Sequence, residues 1–199
     1  MTATLLLIRH AAHVHLDRLL SGRLPGVALS DEGRAQAGRL GVRLAGEGID
    51  AVACSPLDRT RATAEAIAAA CGIAVEPIGG LIEIDMGAWT GRAITELEGD
   101  PDWTAWNSAR ATARIPGGES MAEAQARIVG VLGELAKRGG GRRIAVVSHS
   151  DMIRAAIAHV LGLSLDNLLR FDVSPASVTR VVWGDWGARL MTLNEVERG

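Results

Sequence analysis

Three short apolar runs, Leu5–Ile8, Ala51–Cys54 and Ile144–Val147, are continuous rather than alternating. A strand that reads this way is covered on both faces, as in a parallel sheet sandwiched between helices. The stretches between them repeat with helical spacing. Ala37, Leu40, Gly41 and Leu44 form one stripe, and Met121, Ala124, Ile128, Leu132 and Leu135 a second. A third runs through Ile153, Ala156, Ile157, Val160 and Leu161. An Ala-rich segment from about Leu57 to Ala70 predicts another helix, ended by Gly72. Ser120 and Glu123 read as a capping box, and Gly139 as the C′ residue of that helix. Ser177–Trp183 and Ala188–Leu193 predict a terminal hairpin around Gly184–Gly187. Strands alternating with helices predict an α/β fold with a mainly parallel sheet.

The chain has 199 residues and shows no internal repeat, low-complexity tract or linker, so residues 1–199 read as a single domain. The segment Ile84–Gly118 differs from the rest. It holds Trp89, Trp103 and Trp106, short helical patterns and no strong strand. Such a long connection reads as a cap-like segment over one edge of the sheet. The plainer reading is a helical excursion that buries its own tryptophans.

A net charge of −2 gives no reason to expect nucleic acid or an anionic membrane as partner. Cys54 and Cys71 lack metal or redox spacing and read as reduced thiols of a cytoplasmic protein. No run approaches the roughly 18 apolar residues of a membrane span, and no signal peptide is legible.

Four polar clusters each follow an apolar stretch: Arg9-His10, Ser55–Arg59, Glu83, and Ser148-His149-Ser150. In an open parallel sheet the carboxyl ends of the strands share one edge, and ligands bind there. Two histidines, at least two arginines and a carboxylate are thus expected to converge. Arginine forks match phosphate or carboxylate, and the helix start after His149 also favours an anion. A neutral imidazole can attack phosphorus, a protonated one can stabilise the charge that develops, and a carboxyl can protonate the leaving oxygen. Arg59 and Arg61 lie about 200° apart on a helix, so one of them faces the site, and Arg59 is the choice. Arg154 reads as a structural ion-pair residue, and His159 carries no expected function.

"IRHA" at Ile8–Ala11, "SPLDRTRAT" at Ser55–Thr63, "EIDMGAWTG" at Glu83–Gly91, "PGGES" at Pro116–Ser120 and "VVSHSDMIRA" at Val146–Ala155 occur in that order. Together they resemble the histidine phosphatase superfamily, which includes the cofactor-dependent phosphoglycerate mutases, over nearly the whole chain. The resemblance implies a three-layer α/β/α sandwich with a mostly parallel central sheet. It implies His10 as the nucleophile that becomes phosphohistidine, Glu83 as proton donor and His149 as the third catalytic residue. Arg9, Arg59 and Ser150 are then the phosphate-binding residues. Ser21 and Gly22 fall near the substrate loop. No metal or other cofactor is implied, and the expected partner is a small phosphorylated metabolite. The oligomeric state is left open, a homodimer included.

The chain departs from the family in its first loop. Ala11, Ala12 and His13 stand where the family usually has Gly, Glu or Gln, and Thr or Ser. Ala11 is tolerable if its φ stays negative. His13 is assigned to substrate binding, in place of the missing hydroxyl. A zinc site at His10, His13 and His15 is disfavoured, because no cysteine neighbours them and Asp17 is the only nearby acid. Three functions remain in contention: a phosphomonoesterase, a phosphoglycerate mutase-type transferase, and a non-catalytic phosphate-ligand binder. The short middle of the chain favours hydrolysis.

Overall fold

The computed structural model describes residues 2–196. Six strands form one sheet in the order β3-β2-β4-β1-β5-β6. β1 (Thr2–Arg9), β2 (Ala51–Cys54), β3 (Val75–Pro77) and β4 (Arg143–Ser148) pair in parallel. β5 (Val178–Gly184) and β6 (Gly187–Glu195) form the expected hairpin, which adds to β1 in antiparallel sense. β3 is a short edge strand with no buried residue, and the apolar pattern did not predict it.

Alternate side chains of β1 divide the core. Leu6 and Ile8 pack with Leu40, Leu44 and Ile67, from α1 (Asp31–Ala45) and α2 (Asp58–Cys71). Leu5 and Leu7 pack with Ile128, Leu132, Ile153 and Ile157, from α4 (Met121–Arg138) and α5 (Ser150–Leu161). Helices therefore cover both faces of a mostly parallel sheet, giving the three-layer sandwich. Ser30 caps α1, and Ser120 with Glu123 forms the capping box of α4. Gly72 ends α2 in the left-handed conformation, φ 69°. Gly139 does not: its φ is −101°, and it is the C-cap rather than a left-handed C′ residue. A Cβ there would lie 2.6 Å from Ile144 Cδ1, so that side chain would have to shift.

Residues 84–118 form two 3₁₀ turns, Gly87–Trp89 and Ile94–Leu97, and the helix α3 (Pro101–Ser108). Trp89 and Trp106 are buried in the α4–α5 core. Trp89 meets Trp103 and Trp106 edge-on, at 5.3 and 6.3 Å between ring centroids. Gly87 has φ +45°, and a Cβ there would sit 2.3 Å from the Pro116 carbonyl oxygen. The glycine-bearing stretches after Glu83 and around Pro116–Gly118 thus press directly against each other. Among the described residues, no helix is long and apolar enough to cross a membrane.

Candidate active site

β1 and β4 are adjacent parallel strands, with Arg9 paired to Ser148. His10 and His149 therefore leave the sheet side by side, their ring centroids 5.2 Å apart. β2 lies on the other side of β4, with Cys54 opposite Val147, and it delivers Ser55 to the same edge. His149 is the N-cap residue of α5 and makes no side-chain cap bond, so it leaves first-turn amide N–H groups available beside Ser150.

Arg59, in the first turn of α2, is 2% exposed. Its Nε donates to His10 Nε2 at 3.3 Å. Its Nη2 donates to the Gly22 carbonyl at 2.7 Å and to His149 Nδ1 at 3.2 Å. These partners fix both imidazole tautomers. His10 Nδ1 lies 2.8 Å from the Ala11 carbonyl and carries the proton, leaving a lone pair on Nε2. His149 presents its Nδ1 lone pair to Arg59 and donates from Nε2 to Ser55 Oγ at 2.8 Å. Arg61 is exposed and pairs instead with Glu65.

Burial, with Arg59 beside them, holds His10 and His149 well below the usual histidine range. Both rings are neutral at pH 7. His13 is lowered to about 4, first by burial and then by Arg59 and Arg9. Its Nδ1 accepts the His15 N–H at 3.2 Å, so its proton sits on Nε2.

Glu83 follows a 3₁₀ turn, Gly79–Leu81, rather than the end of a strand. Its Oε1 accepts the Ile84 N–H at 2.9 Å, and its Oε2 lies 3.7 Å from His149 Nδ1. Burial first, then the nearby charge of Asp151, pushes its carboxyl up to about 7. The Glu83 carbonyl accepts from Arg23 Nε at 2.9 Å, and Arg23 also reaches Glu119 at 2.9 Å.

The first loop is anchored from behind. Ala11 N–H donates to Thr63 Oγ1 and Ala12 N–H to Gln36 Oε1, both at 3.0 Å. Ala11 is buried, packs with Leu29 and Ala37, and is absent from the residues with positive φ. Its methyl therefore fills space without strain. Gly33 permits the approach of this loop to α1, since a Cβ there would fall 1.8 Å from the Ala12 carbonyl oxygen.

A cavity of about 190 Å³ opens over these groups. Arg9, His10, His13, Ser21, Gly22, Arg59, Glu83 and Ser150 line it, with His149 fully buried behind. Every residue assigned from the sequence thus comes to one place. Two buried guanidinium N–H groups at this site lack a partner among the described residues, Arg9 Nε and Arg59 Nη1. Ser21 Oγ is satisfied by His15 Nδ1 at 3.3 Å, so His15 supports the loop.

Several cavity residues escaped the sequence reading. Arg154, read as a structural ion-pair residue, lines the cavity, and its pairs with Asp151 and Asp172 are long, at 3.9 and 3.7 Å. Asp17 and Asp151 also line it. Asp17 and Arg23 carry no local signal. A larger cavity of about 440 Å³, between α1 and Pro175, contains neither histidine.

The family model for the histidine phosphatase superfamily, branch 1, matches residues 5–196. Phosphoserine phosphatase 1 of Hydrogenobacter thermophilus is 35% identical over 178 residues, covering 87% of this chain and 83% of the relative. A protein of Erwinia tasmaniensis named "Probable phosphoglycerate mutase GpmB" is 32% identical over 180 residues, covering 88% and 82%. The crystal structure of phosphoserine phosphatase from Entamoeba histolytica, in complex with 3-phosphoglyceric acid, superposes with a TM-score of 0.88. That pair is 25% identical, with 98% of each chain covered.

Proposed function

The chain belongs to the histidine phosphatase superfamily, and from that premise we propose that it is a metal-independent phosphomonoesterase working through a phosphohistidine at His10. The observation that carries this reading is the arrangement around the His10 Nε2 lone pair. Arg59 donates to it, and Arg9 Nε and Arg59 Nη1 are buried donors still to be satisfied. A buried cationic donor without a partner is costly, and a phosphoryl dianion satisfies several at once.

In this reading the phosphoryl oxygens draw Arg59 off the two imidazoles and onto themselves, together with Arg9, Ser150 and the first amides of α5. His10 Nε2 attacks phosphorus as the ester P–O bond breaks. The Glu83 carboxyl, raised to about 7, gives its proton to the departing oxygen. His10 Nδ1–H stays on the Ala11 carbonyl and stabilises the cationic phosphorylated ring. His149 is freed from Arg59, takes a proton from solvent onto Nδ1 as the dianion binds, and stabilises its equatorial oxygens. Water then attacks phosphorus, Glu83 accepts its proton, the N–P bond breaks, and inorganic phosphate leaves.

The substrate is a small phosphate ester, and phosphoserine leads the class. Relatives named for phosphoserine hydrolysis support that reading, as does a cavity of about 190 Å³. We read residues 84–118 as a cap over this cavity, to which they contribute Met86 and Ile94. The compartment is read as cytoplasmic, in line with two free cysteines. The test is release of phosphate from p-nitrophenyl phosphate in the presence of a chelator, by wild type and His10→Ala. Equal background from both sinks the enzyme reading; radiolabel trapped on His10 under alkaline quench supports it. Transfer of that label to a second hydroxyl compound instead of water would favour the mutase.

A further inference from the structure

An anion pocket ought to exclude negative charge from its rim, yet Asp17 lines this cavity. Its carboxylate accepts no hydrogen bond and joins no ion pair within 4 Å among the described residues. Asp17 also has φ +58°, a conformation that non-glycine residues adopt sparingly and that is maintained where surrounding structure imposes it. Opposite in sign stands Arg154. Its Nε is satisfied by the Phe171 carbonyl at 3.3 Å, but its Nη atoms reach Asp151 and Asp172 only at 3.9 and 3.7 Å. Those separations exceed hydrogen-bond length, so the outer edge of the fork is open to a better acceptor. Arg154 is nonetheless held in place, with its side chain 17% exposed.

An acid without an ion-pair partner, on the same cavity as the phosphate-binding arginines, repels an incoming dianion. That penalty vanishes if the same ligand brings a positive charge. A ligand carrying both charges on a short stem would match both rim residues.

We propose that Asp17 and Arg154 are specificity-determining residues that select a zwitterionic leaving group, Asp17 meeting its ammonium and Arg154 its carboxylate. The substrate class is then an O-phosphorylated amino acid with a short side chain. The assignment rests on the phosphatase reading above and adds the two residues that choose among small esters. The cavity is small, about 190 Å³, which suits a short stem between the phosphate and the two charges.

The test compares ratios within one protein preparation. Phosphoserine has both charges, phosphoethanolamine lacks the carboxylate, and 3-phosphoglycerate has a hydroxyl where phosphoserine has the ammonium. In Asp17→Asn, the kcat/KM ratio of phosphoserine to 3-phosphoglycerate is expected to fall about 10- to 100-fold, the weight of one charge-assisted hydrogen bond. In Arg154→Gln, the ratio of phosphoserine to phosphoethanolamine falls similarly. Calorimetric binding of the same three esters to His10→Ala, with and without each rim substitution, reads the same ratios without turnover. Ratios that do not move in either assay overturn the assignment. Moved binding ratios with no turnover of any ester by wild type would uphold the rim assignment and sink the phosphatase reading instead.

Discussion

Arg59 Nε lies 3.3 Å from His10 Nε2, so the guanidinium rests on the lone pair that would attack phosphorus. The same arginine holds His149 Nδ1 and the Gly22 carbonyl. One side chain thus ties the site together, and a phosphoryl group must compete for it. Arg59→Lys retains the charge but not the fork. It is expected to lower kcat/KM for p-nitrophenyl phosphate by about 100-fold or more. A lysine variant within a few-fold of wild type in steady-state kinetics would contradict the multiple role given to the guanidinium.

Glu83 has opposite consequences for catalysis and stability. Its carboxyl must be protonated to act as an acid, so kcat/KM should fall as pH rises through about 7. Glu83→Gln is expected to flatten that limb, and to slow alkyl phosphates far more than p-nitrophenyl phosphate. Because the folded-state value lies above the usual carboxylate value, folding takes up a proton between about 4.5 and about 7. Stability attributable to this group is present at low pH and lost as pH rises through that window, by on the order of 3 kcal/mol. The Tm advantage of Glu83→Gln over wild type should thus be larger at pH 8 than at pH 5. An advantage independent of pH would place the carboxyl in water.

Ser55 Oγ is the partner of the buried His149 Nε2–H, at 2.8 Å. Ser55→Ala leaves that donor unsatisfied inside the protein. Denaturant unfolding should show a loss of about 1–3 kcal/mol, and kcat should drop with little change in KM. Unchanged stability would mean that the ring turns to another acceptor.

Two glycines of α1 should respond in opposite directions to the same methyl. Gly33→Ala drives a Cβ to 1.8 Å from the Ala12 carbonyl oxygen and should displace the His10 loop, lowering both Tm and activity. At Gly38 nothing lies within 4 Å of the added Cβ. Gly38→Ala should therefore stabilise by about 0.5–1 kcal/mol, through helix propensity and a less flexible unfolded chain. Equal effects at both positions would refute the close approach at Gly33.

Ala11→Gly returns the first loop to the family's common residue, yet here it should destabilise. The methyl is buried against Leu29 and Ala37, and the residue already has a negative φ. The expected loss is about 1 kcal/mol by chemical denaturation. A gain would show that the backbone at Ala11 is strained.

The sheet-end residues were readable because their signal is local: an apolar run stops, and the chemistry begins at the next residue. His10, Ser55 and His149 all have this form, and Arg59 follows from helical phase. Glu83 needed its motif, since a 3₁₀ turn rather than a strand presents it. The edge strand β3 escaped because none of its residues is buried, which leaves no apolar run to see. Asp151 and Arg23 act through partners distant in the chain, and Asp17 has no ion-pair partner among the described residues to mark it. Arg23 reaches the Glu83 carbonyl across 60 positions. Arg154 looked like an ordinary ion-pair former because the length of its pairs cannot be read from sequence.

His10 and His149 continue one parallel ladder, from the Arg9–Ser148 pair outward. The gap between their backbones is hence the gap between neighbouring strands, about 4.8 Å in any sheet. Loop mutations can repaint the mouth of the cavity but cannot widen this pair without breaking the pairing of β1 with β4, which lies at the centre of the fold. Selection can thus change which ester enters far more readily than what is done to it.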